Sequence, residues 1–175
     1  TDFREVFEST LLGIFKPHNR AQALVLDALL DDSIKLVSLI GLAGSGKTFL
    51  TLLAGITKVV QERHYKRILI TRPTVAVGPD IGFLPGTVDE KLDSWMYPIR
   101  DNIEAISSML AKKALPFRVD FEGLLKYDQL SLQALTYMRG RSLPQQFMYV
   151  DEAQNMTPLE VKTLITRAGA GTKVI

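Results

Sequence analysis

Eight residues in the first third of the chain read G-L-A-G-S-G-K-T and match the complete pattern G-x-x-x-x-G-K-[ST]. Glycines at this spacing let the backbone wrap closely around phosphate oxygens, and successive N–H groups present partial positive charge to the anion. Lys47 can reach the β- and γ-phosphates of a nucleotide, and the hydroxyl of Thr48 can bind Mg²⁺. The pattern predicts a loop that binds a nucleoside triphosphate through Gly41, Leu42, Ala43, Gly44, Ser45, Gly46, Lys47 and Thr48.

A second group of candidate site residues, D-E-A-Q, follows the apolar run F-M-Y-V at positions 147–150. Asp151 would hold Mg²⁺, directly or through water, because a hard cation prefers carboxylate oxygen. Glu152 would orient and polarise the attacking water. Gln154 would contact the γ-phosphate or that water, or else support the start of a helix. The acidic pair alone would also suit the first turn of a helix, but together with the glycine-rich loop it favours a nucleotide site.

Apolar runs flank the glycine-rich loop in the order that a phosphate-binding loop requires. Residues 35–40 predict a strand and residues 47–63 predict a helix, so that strand, loop and helix follow one another. A chance glycine-rich turn would not be expected to have both flanks. Residues 67–71 predict a second buried strand, closed by Pro73. The order β-α-β with long crossovers predicts an α/β fold with a parallel sheet and helices on both faces.

Seven further elements are predicted from apolar spacing and turn residues. They are helices at 19–30, 89–97, 99–113 and 157–169 and strands at 132–136, 147–151 and 172–175. Pro98 is expected to stop the helix before it, and Asn19 and Thr157 are expected to cap the helices that they begin. Glycine and proline residues make the segment from about 77 to 130 an irregular insert.

Composition limits the class of protein. The chain has 175 residues, of which 46% are apolar and 23% charged, which fits a single globular domain over residues 1–175. No apolar stretch approaches the roughly 18 residues that span a bilayer, so no membrane association is expected. The absence of cysteine excludes disulfides and thiolate metal sites and agrees with a reducing cytoplasm. A net charge of +2 is too small to indicate nucleic-acid binding from the whole molecule.

Four blocks, the last of which contains the acidic pair, carry a family resemblance. They read I-T-R-P at 70–73, G-F-L-P-G at 82–86, M-R-G-R-S at 138–142 and D-E-A-Q-N at 151–155. Together they resemble the PhoH family, a group of cytoplasmic P-loop ATPases akin to superfamily 1 helicases. The run T-P-L-E-V-K-T-L-I-T-R-A-G at 157–169 is especially similar to the PhoH half of PIN–PhoH fusion proteins. The resemblance covers about residues 17–175 and implies a three-layer RecA-like core with a mostly parallel sheet.

The resemblance also implies roles for residues outside the two motifs. In superfamily 1 helicases a glutamine upstream of the phosphate-binding loop hydrogen-bonds adenine, which makes Gln22 the adenine-reading candidate, with an exposed helix glutamine as the alternative. Arg72, Arg139, Arg141 and Arg167 are candidates for stabilising transition-state charge, in cis or from a neighbouring subunit. Arg167 is taken as the catalytic candidate, although the sequence does not rank the four. Each would alternatively form a salt bridge or contact an RNA phosphate.

The leading functional interpretation is an ATPase domain that uses ATP and Mg²⁺ to drive the binding or unwinding of single-stranded RNA. The alternative is a module that oligomerises or regulates in response to nucleotide, without helicase activity. A small-molecule kinase would also use a phosphate-binding loop, but the D-E-A-Q residues favour water over a substrate hydroxyl as the nucleophile.

The resemblance implies that this sequence is part of a longer protein. In the fusion proteins a PIN ribonuclease domain would precede this segment, and the family core continues past the last strand into a G-D motif that senses the γ-phosphate. The sequence ends at Ile175, before that motif, so a truncation at the C-terminus is expected. Nucleotide binding is expected of this piece, and hydrolysis by it alone stays open.

Overall fold

The protein is built on a four-stranded, all-parallel sheet. The computed structural model describes residues 15–73, 88–112, 119–138 and 140–175. The strands are β1 (Arg67–Arg72), β2 (Leu130–Ala134), β3 (Gln146–Val150) and β4 (Lys173–Val174). They lie in the order β2-β1-β3-β4. The two strands expected from the apolar runs near 67 and 147 are therefore neighbours at the centre of the sheet.

Helices connect the strands, as parallel strands require. They are α1 (Arg20–Leu30), α2 (Lys47–Ile56), α3 (Val88–Ala111), α4 (Phe121–Lys126) and α5 (Pro158–Arg167). A π-helical turn (Thr57–Gln61) extends α2, and short 3₁₀ turns (Leu135–Met138 and Ala153–Asn155) follow β2 and β3.

Side chains of the central strands alternate between two apolar clusters. Ile68 and Ile70 of β1 pack in the larger cluster with residues of α1 to α4, whereas Leu69 packs in a smaller cluster with Leu164 of α5. Because successive residues of a strand point to opposite faces, the two clusters lie on opposite faces of the sheet. The expected three-layer, RecA-like α/β fold with helices on both faces is confirmed.

Local sequence signals fix the ends of two helices. The side chain of Asn19 accepts a hydrogen bond from the backbone N–H of Gln22 at 2.9 Å and caps α1. Thr157 and Glu160 form a reciprocal capping box at the start of α5, and Pro158 takes the first helical position, where its missing N–H has no intrahelical role. Both predicted N-caps are confirmed.

The strand predicted at residues 35–40 is reduced to a single bridge. Leu36 pairs with Val174, with Val37 donating to Val174 at 2.9 Å and Val174 donating to Lys35 at 2.8 Å. β4, with which this segment pairs, is Lys173–Val174, so only the first half of the segment has a strand beside it. Ile40, at the end of this segment, is 96% exposed. A long buried strand before the glycine-rich loop was the wrong expectation.

Pro98 does not stop a helix. The segments predicted as two helices form one, α3, with Pro98 inside it. An internal proline costs about 3 kcal/mol because it removes a hydrogen bond and crowds the preceding turn. Residues after it supply the compensation: Ile99, Ile103 and Ile106 are almost fully buried in the larger cluster. The predicted G-F-L-P-G block lies outside the described residues.

No helix in the described ranges combines the length and the apolar content that a membrane span requires.

Candidate nucleotide and metal site

The glycine-rich loop connects the segment at 35–40 to the N-terminus of α2. Gly44 and Gly46 have φ angles of +75° and +89°, in the region that L side chains rarely adopt. Gly46 is the N-cap of α2, so the first amides of that helix face the loop. Free N–H groups at a helix N-terminus, together with the helix dipole, favour an anion there.

Lys47 is folded over the loop. Its Nζ donates hydrogen bonds to the carbonyl oxygens of Gly41 at 2.7 Å and Leu42 at 2.9 Å. The ammonium group therefore lies beside the space that the loop encloses. An incoming phosphate would replace these two carbonyls as the acceptor.

Asp151 follows the last residue of β3 and lies at the carboxyl end of the sheet. Its backbone N–H donates to the carbonyl of Thr71, in β1, at 2.9 Å. The hydroxyl of Tyr149 donates to Asp151 Oδ1 at 2.8 Å and lies 3.1 Å from Thr48 Oγ1. Because both oxygens contact one hydroxyl, Thr48 Oγ1 and Asp151 Oδ1 are at most about 6 Å apart. The structure thus brings the glycine-rich loop and the acidic pair together.

Glu152 is held by two polar partners at the same edge. Arg72, the last residue of β1, places its guanidinium 3.9 Å from Glu152 Oε1. The side-chain amide of Gln154 donates to Glu152 Oε2. Glu152 also has a φ of +53°, a left-handed conformation that costs a non-glycine residue about 1 kcal/mol or more. Strain of this kind is common where a side chain must be aimed at a site.

Gln22 packs against the glycine-rich loop from α1. Its Nε2 donates to the carbonyl of Ser45 at 3.3 Å, and its Oε1 accepts from the backbone N–H of His18 at 2.9 Å. A Cβ added at Gly46 would lie 3.4 Å from the same Nε2. The side-chain amide predicted to read adenine is thus next to the loop, with both of its ends engaged.

Arg167, the catalytic candidate, is not at this edge. The carbonyl of Arg167 accepts from the N–H of Leu143 at 2.9 Å, and Leu143 lies just before β3 begins. Arg167 is therefore at the amino end of the parallel sheet, opposite Asp151. Arg141 donates to Gln133 Oε1 at 3.3 Å. Arg139 lies outside the described residues.

Tyr149 is the member of the site that sequence reasoning missed. It stands in β3, two residues before Asp151, so continued alternation places both side chains on one face, and this spacing was the available signal. The side chain is 6% exposed. Burial, together with the neighbouring Asp151 carboxylate, raises the pKa of the Tyr149 hydroxyl above its ordinary value. The phenol therefore keeps its proton at neutral pH.

A charged cluster at the other end of α2 fixes the helices that carry the loop and Gln22. Lys58, which is buried, lies 2.7 Å from an Asp32 carboxylate oxygen and 2.8 Å from one of Glu62. Tyr65 donates to the other Asp32 oxygen at 3.0 Å. Burial alone would raise the pKa of Asp32, but the hydrogen bonds from Lys58 and Tyr65 outweigh it and the pKa lies below its ordinary value.

Lys173 of β4 caps the C-terminus of α1. Its Nζ donates to the carbonyl oxygens of Ala28 and Asp31, each at 2.7 Å. The side chain is fully buried, and burial lowers its pKa to about 8. This contact ties the sheet to the end of the helix that presents Gln22.

The residues at the carboxyl edge fit a magnesium ion. Thr48 and Asp151 supply a hydroxyl and a carboxylate, which are the oxygen donors that a hard cation prefers. Over the described ranges, no three His, Cys, Asp or Glu side chains cluster as a metal site. Mg²⁺ typically takes only one or two protein oxygens and completes its shell with phosphate oxygens and water, and Thr48 and Asp151 would supply two such protein oxygens.

A parallel α/β sheet with a G-x-x-x-x-G-K-T loop and an aspartate–glutamate pair at one edge defines a P-loop nucleotide-binding protein. A family model described as PhoH-like protein matches residues 14–175. The chain belongs to the PhoH family of P-loop ATPases.

Curated relatives extend this result. The chain is 45% identical over 172 residues to Protein PhoH2 of Bacillus subtilis (strain 168), which covers 98% of this chain and 38% of that protein. It is 37% identical over 155 residues to Protein PhoH2 of Mycolicibacterium smegmatis, covering 88% of this chain and 33% of that protein. It is also 37% identical over 160 residues to the PhoH-like protein of Mycobacterium leprae, covering 91% and 42% respectively. The chain spans well under half the length of these relatives.

Proposed function

We propose that the chain binds ATP with Mg²⁺ at its glycine-rich loop, as part of a cytoplasmic ATPase whose hydrolysis drives RNA binding or unwinding. One observation carries the nucleotide part. Thr48, at the start of α2, and Asp151, at the end of β3, both contact the hydroxyl of Tyr149. Residues far apart in sequence thereby form the pair of oxygen donors that a metal–triphosphate complex requires.

Each polar side chain at this edge has a role in the proposal. Lys47 would exchange its two loop carbonyls for β- and γ-phosphate oxygens. Thr48 and Asp151 would hold Mg²⁺, which when bound neutralises charge on those phosphates. Glu152 would accept a hydrogen bond from the attacking water and take up its proton. Gln154, bonded to Glu152, would sense whether that water and the γ-phosphate are in place.

Arg72 is the arginine placed to act in cis. Its guanidinium lies 3.9 Å from Glu152 and carries positive charge to the same edge as the loop. It would hold the Glu152 carboxylate in position beside the attacking water. It would also stabilise negative charge that develops on the transferred phosphoryl group.

Gln22 would read the base. An amide can accept from the adenine amino group and donate to a ring nitrogen, which suits adenine over guanine. In the structure the same amide bonds to Ser45 and His18, so adenine would replace these partners. Binding of the base would then change a hydrogen bond of the loop itself, at the carbonyl of Ser45.

The RNA part of the proposal draws support from a basic pocket. A cavity of about 170 Å³ opens at the amino end of the sheet. Its cationic side chains are Lys66, Arg67 and Arg141, of which Arg67 is ion-paired with Asp128 at 2.6 Å, and no carboxylate is among the described residues that line it. Such a pocket favours a phosphate group, and phosphate contacts hold nucleic acid without regard to its sequence.

RNA-stimulated ATP turnover in a longer chain tests the function. The expected result is phosphate release that rises on adding single-stranded RNA, and RNA affinity that differs between ATP-bound and nucleotide-free protein. Arg141→Gln should lower RNA affinity and reduce its salt dependence, whereas Lys162→Gln, on exposed α5, should not. RNA affinity that ignores nucleotide, with turnover that ignores RNA, would reject the RNA part and leave nucleotide binding standing.

A second candidate function is a module that oligomerises or regulates in response to nucleotide, without helicase activity. The position of Arg167 favours it, because this arginine lies at the end of the sheet opposite the loop. A head-to-tail arrangement of copies would bring Arg167 to the nucleotide of the neighbouring subunit. Sedimentation with and without ATP tests it, and a monomer under both conditions rejects it. A PIN domain in a longer chain is compatible with either function.

A further inference from the structure

The hydroxyl of Tyr149 lies between the two residues assigned to the metal. It is 2.8 Å from Asp151 Oδ1 and 3.1 Å from Thr48 Oγ1. The side chain reaches this position from the middle of the sheet, because β3 directs it to the same face as α2. None of the roles described so far uses this phenol.

The chemistry of the three groups fixes the direction of both hydrogen bonds. Carboxylate oxygens accept hydrogen bonds, so the O–H of Tyr149 donates to Asp151. The oxygen of Tyr149 then has only lone pairs left for Thr48, so Thr48 must be the donor. A threonine hydroxyl whose O–H is already used in one hydrogen bond can act only as an acceptor toward other groups. Lone pairs on oxygen are what a magnesium ion coordinates.

We propose that Tyr149 is a positioning residue for the metal, acting through Thr48 and Asp151. By accepting a hydrogen bond from Thr48, it leaves the lone pairs of that hydroxyl available to the cation. By donating to Oδ1 of Asp151, it fixes the carboxylate and leaves Oδ2 for the metal or a metal-bound water. The inference rests on the proposed binding of ATP with Mg²⁺ at this edge.

Tyr149→Phe removes one oxygen atom and keeps the ring, so it isolates the hydroxyl. Partners that orient metal ligands typically contribute about 10-fold or more to metal affinity, and we expect the Mg²⁺ concentration for half-maximal effect to rise about 10-fold. Affinity for a fluorescent ATP analogue in EDTA should not change. Binding of Mn²⁺, followed by the loss of its free electron paramagnetic resonance signal, should weaken in parallel.

Tyr65→Phe is the matched control. Tyr65 is also a buried tyrosine whose hydroxyl donates to an aspartate, Asp32, at 3.0 Å, but at the opposite end of α2. Removing that hydroxyl should lower the free energy of unfolding to a similar degree and leave the Mg²⁺ requirement at its wild-type value. Thr48→Ala supplies a second check, because Tyr149→Phe should weaken metal binding less in that background than in the wild type.

The outcomes separate the two proposals. Wild-type protein that fails to bind the ATP analogue, or binds it without regard to Mg²⁺, would reject the proposed function and the inference with it. Wild-type protein that shows Mg²⁺-dependent binding, together with an unchanged Mg²⁺ requirement in Tyr149→Phe, would reject the inference alone. Equal losses of affinity with and without metal in Tyr149→Phe would make Tyr149 a support of the fold and also reject the inference.

Discussion

Lys47→Ala is the change that tests the phosphate-binding loop most directly. In the structure its ammonium group donates to two loop carbonyls, at 2.7 and 2.9 Å. Hydrogen bonds from a charged donor contribute about 1.5–3 kcal/mol each. Because Lys47 is only partly buried, its two bonds together are taken to contribute about 2 kcal/mol. For a protein of this length, that loss lowers the melting temperature of the nucleotide-free variant by about 6 °C.

The effect on ATP follows from an exchange of partners. An ammonium next to a phosphate at about 4 Å gains roughly 4 kcal/mol at an effective dielectric constant of 20. The two carbonyl bonds given up offset about 2 kcal/mol of this gain. The remaining 2 kcal/mol predicts ATP binding about 30-fold weaker in Lys47→Ala.

Calorimetry with ATP, ADP and AMP distinguishes this account from general damage to the loop. AMP has neither phosphate that Lys47 reaches, so its affinity should be the same in the variant and in the wild type. Lys162→Ala, on the exposed surface of α5, serves as the control and should bind all three nucleotides normally. A loss of AMP affinity equal to that of ATP, or unchanged ATP affinity, would refute the reasoning.

Three further predictions concern catalysis and stability. Glu152→Gln should retain ATP binding and abolish phosphate release, because the amide keeps the shape of the side chain but cannot take a proton. Single-turnover assays of a longer chain measure this, and turnover near the wild-type rate would show that Glu152 is not the base. Lys58→Met should lower the free energy of unfolding in urea by about 3 kcal/mol, because Asp32 loses its buried partner. ATP affinity should stay constant. A change in unfolding free energy smaller than the error of the urea fit would contradict this prediction. Lys173 has a pKa of about 8 when folded and 10.5 when unfolded, so the unfolded state binds more protons between these values. Its contribution to stability is thus present above about pH 10.5 and lost as the pH falls to 8, and Lys173→Met should flatten the rise in unfolding free energy over this window.

Much of the site could be predicted from sequence because it depends on local chemistry. A phosphate-binding loop needs glycines at fixed spacing, and the φ angles of Gly44 and Gly46 explain why. Continuous apolar runs placed the central strands β1 and β3, and parallel connection put their carboxyl ends at one edge. That topology brings Thr48 close to Asp151, but it does not give the distance between their side-chain oxygens.

The parts that sequence reasoning got wrong depend on distant neighbours. The segment at 35–40 has the composition of a buried strand, but its pairing partner comes from the far end of the sequence, where Val174 bridges to Leu36. Pro98 breaks an isolated helix, yet the burial of Ile103 and its neighbours keeps α3 continuous. Both outcomes are set by tertiary packing, which a local pattern does not record.

Proximity in sequence was a poor guide to the arginines. Arg167 is 16 positions after Asp151, but α5 intervenes, and its 10 residues carry the chain about 15 Å toward the other end of the sheet. Arg72, which is 79 positions before Asp151, lies beside Glu152 because its strand is the neighbour of β3. Register between strands, rather than separation along the chain, decides which cation reaches the site.

The single bridge at Leu36 has a consequence for how the protein would respond to ligand. In a chain of residues 1–175, the backbone from Ser38 to the loop exchanges no ladder hydrogen bonds with β4, so its amides should exchange quickly with deuterated solvent when no ligand is bound. Triphosphate seated on the amides of the loop would restrain this stretch at its far end. Slower deuterium uptake over residues 38–46 would then report occupancy without any label on the nucleotide.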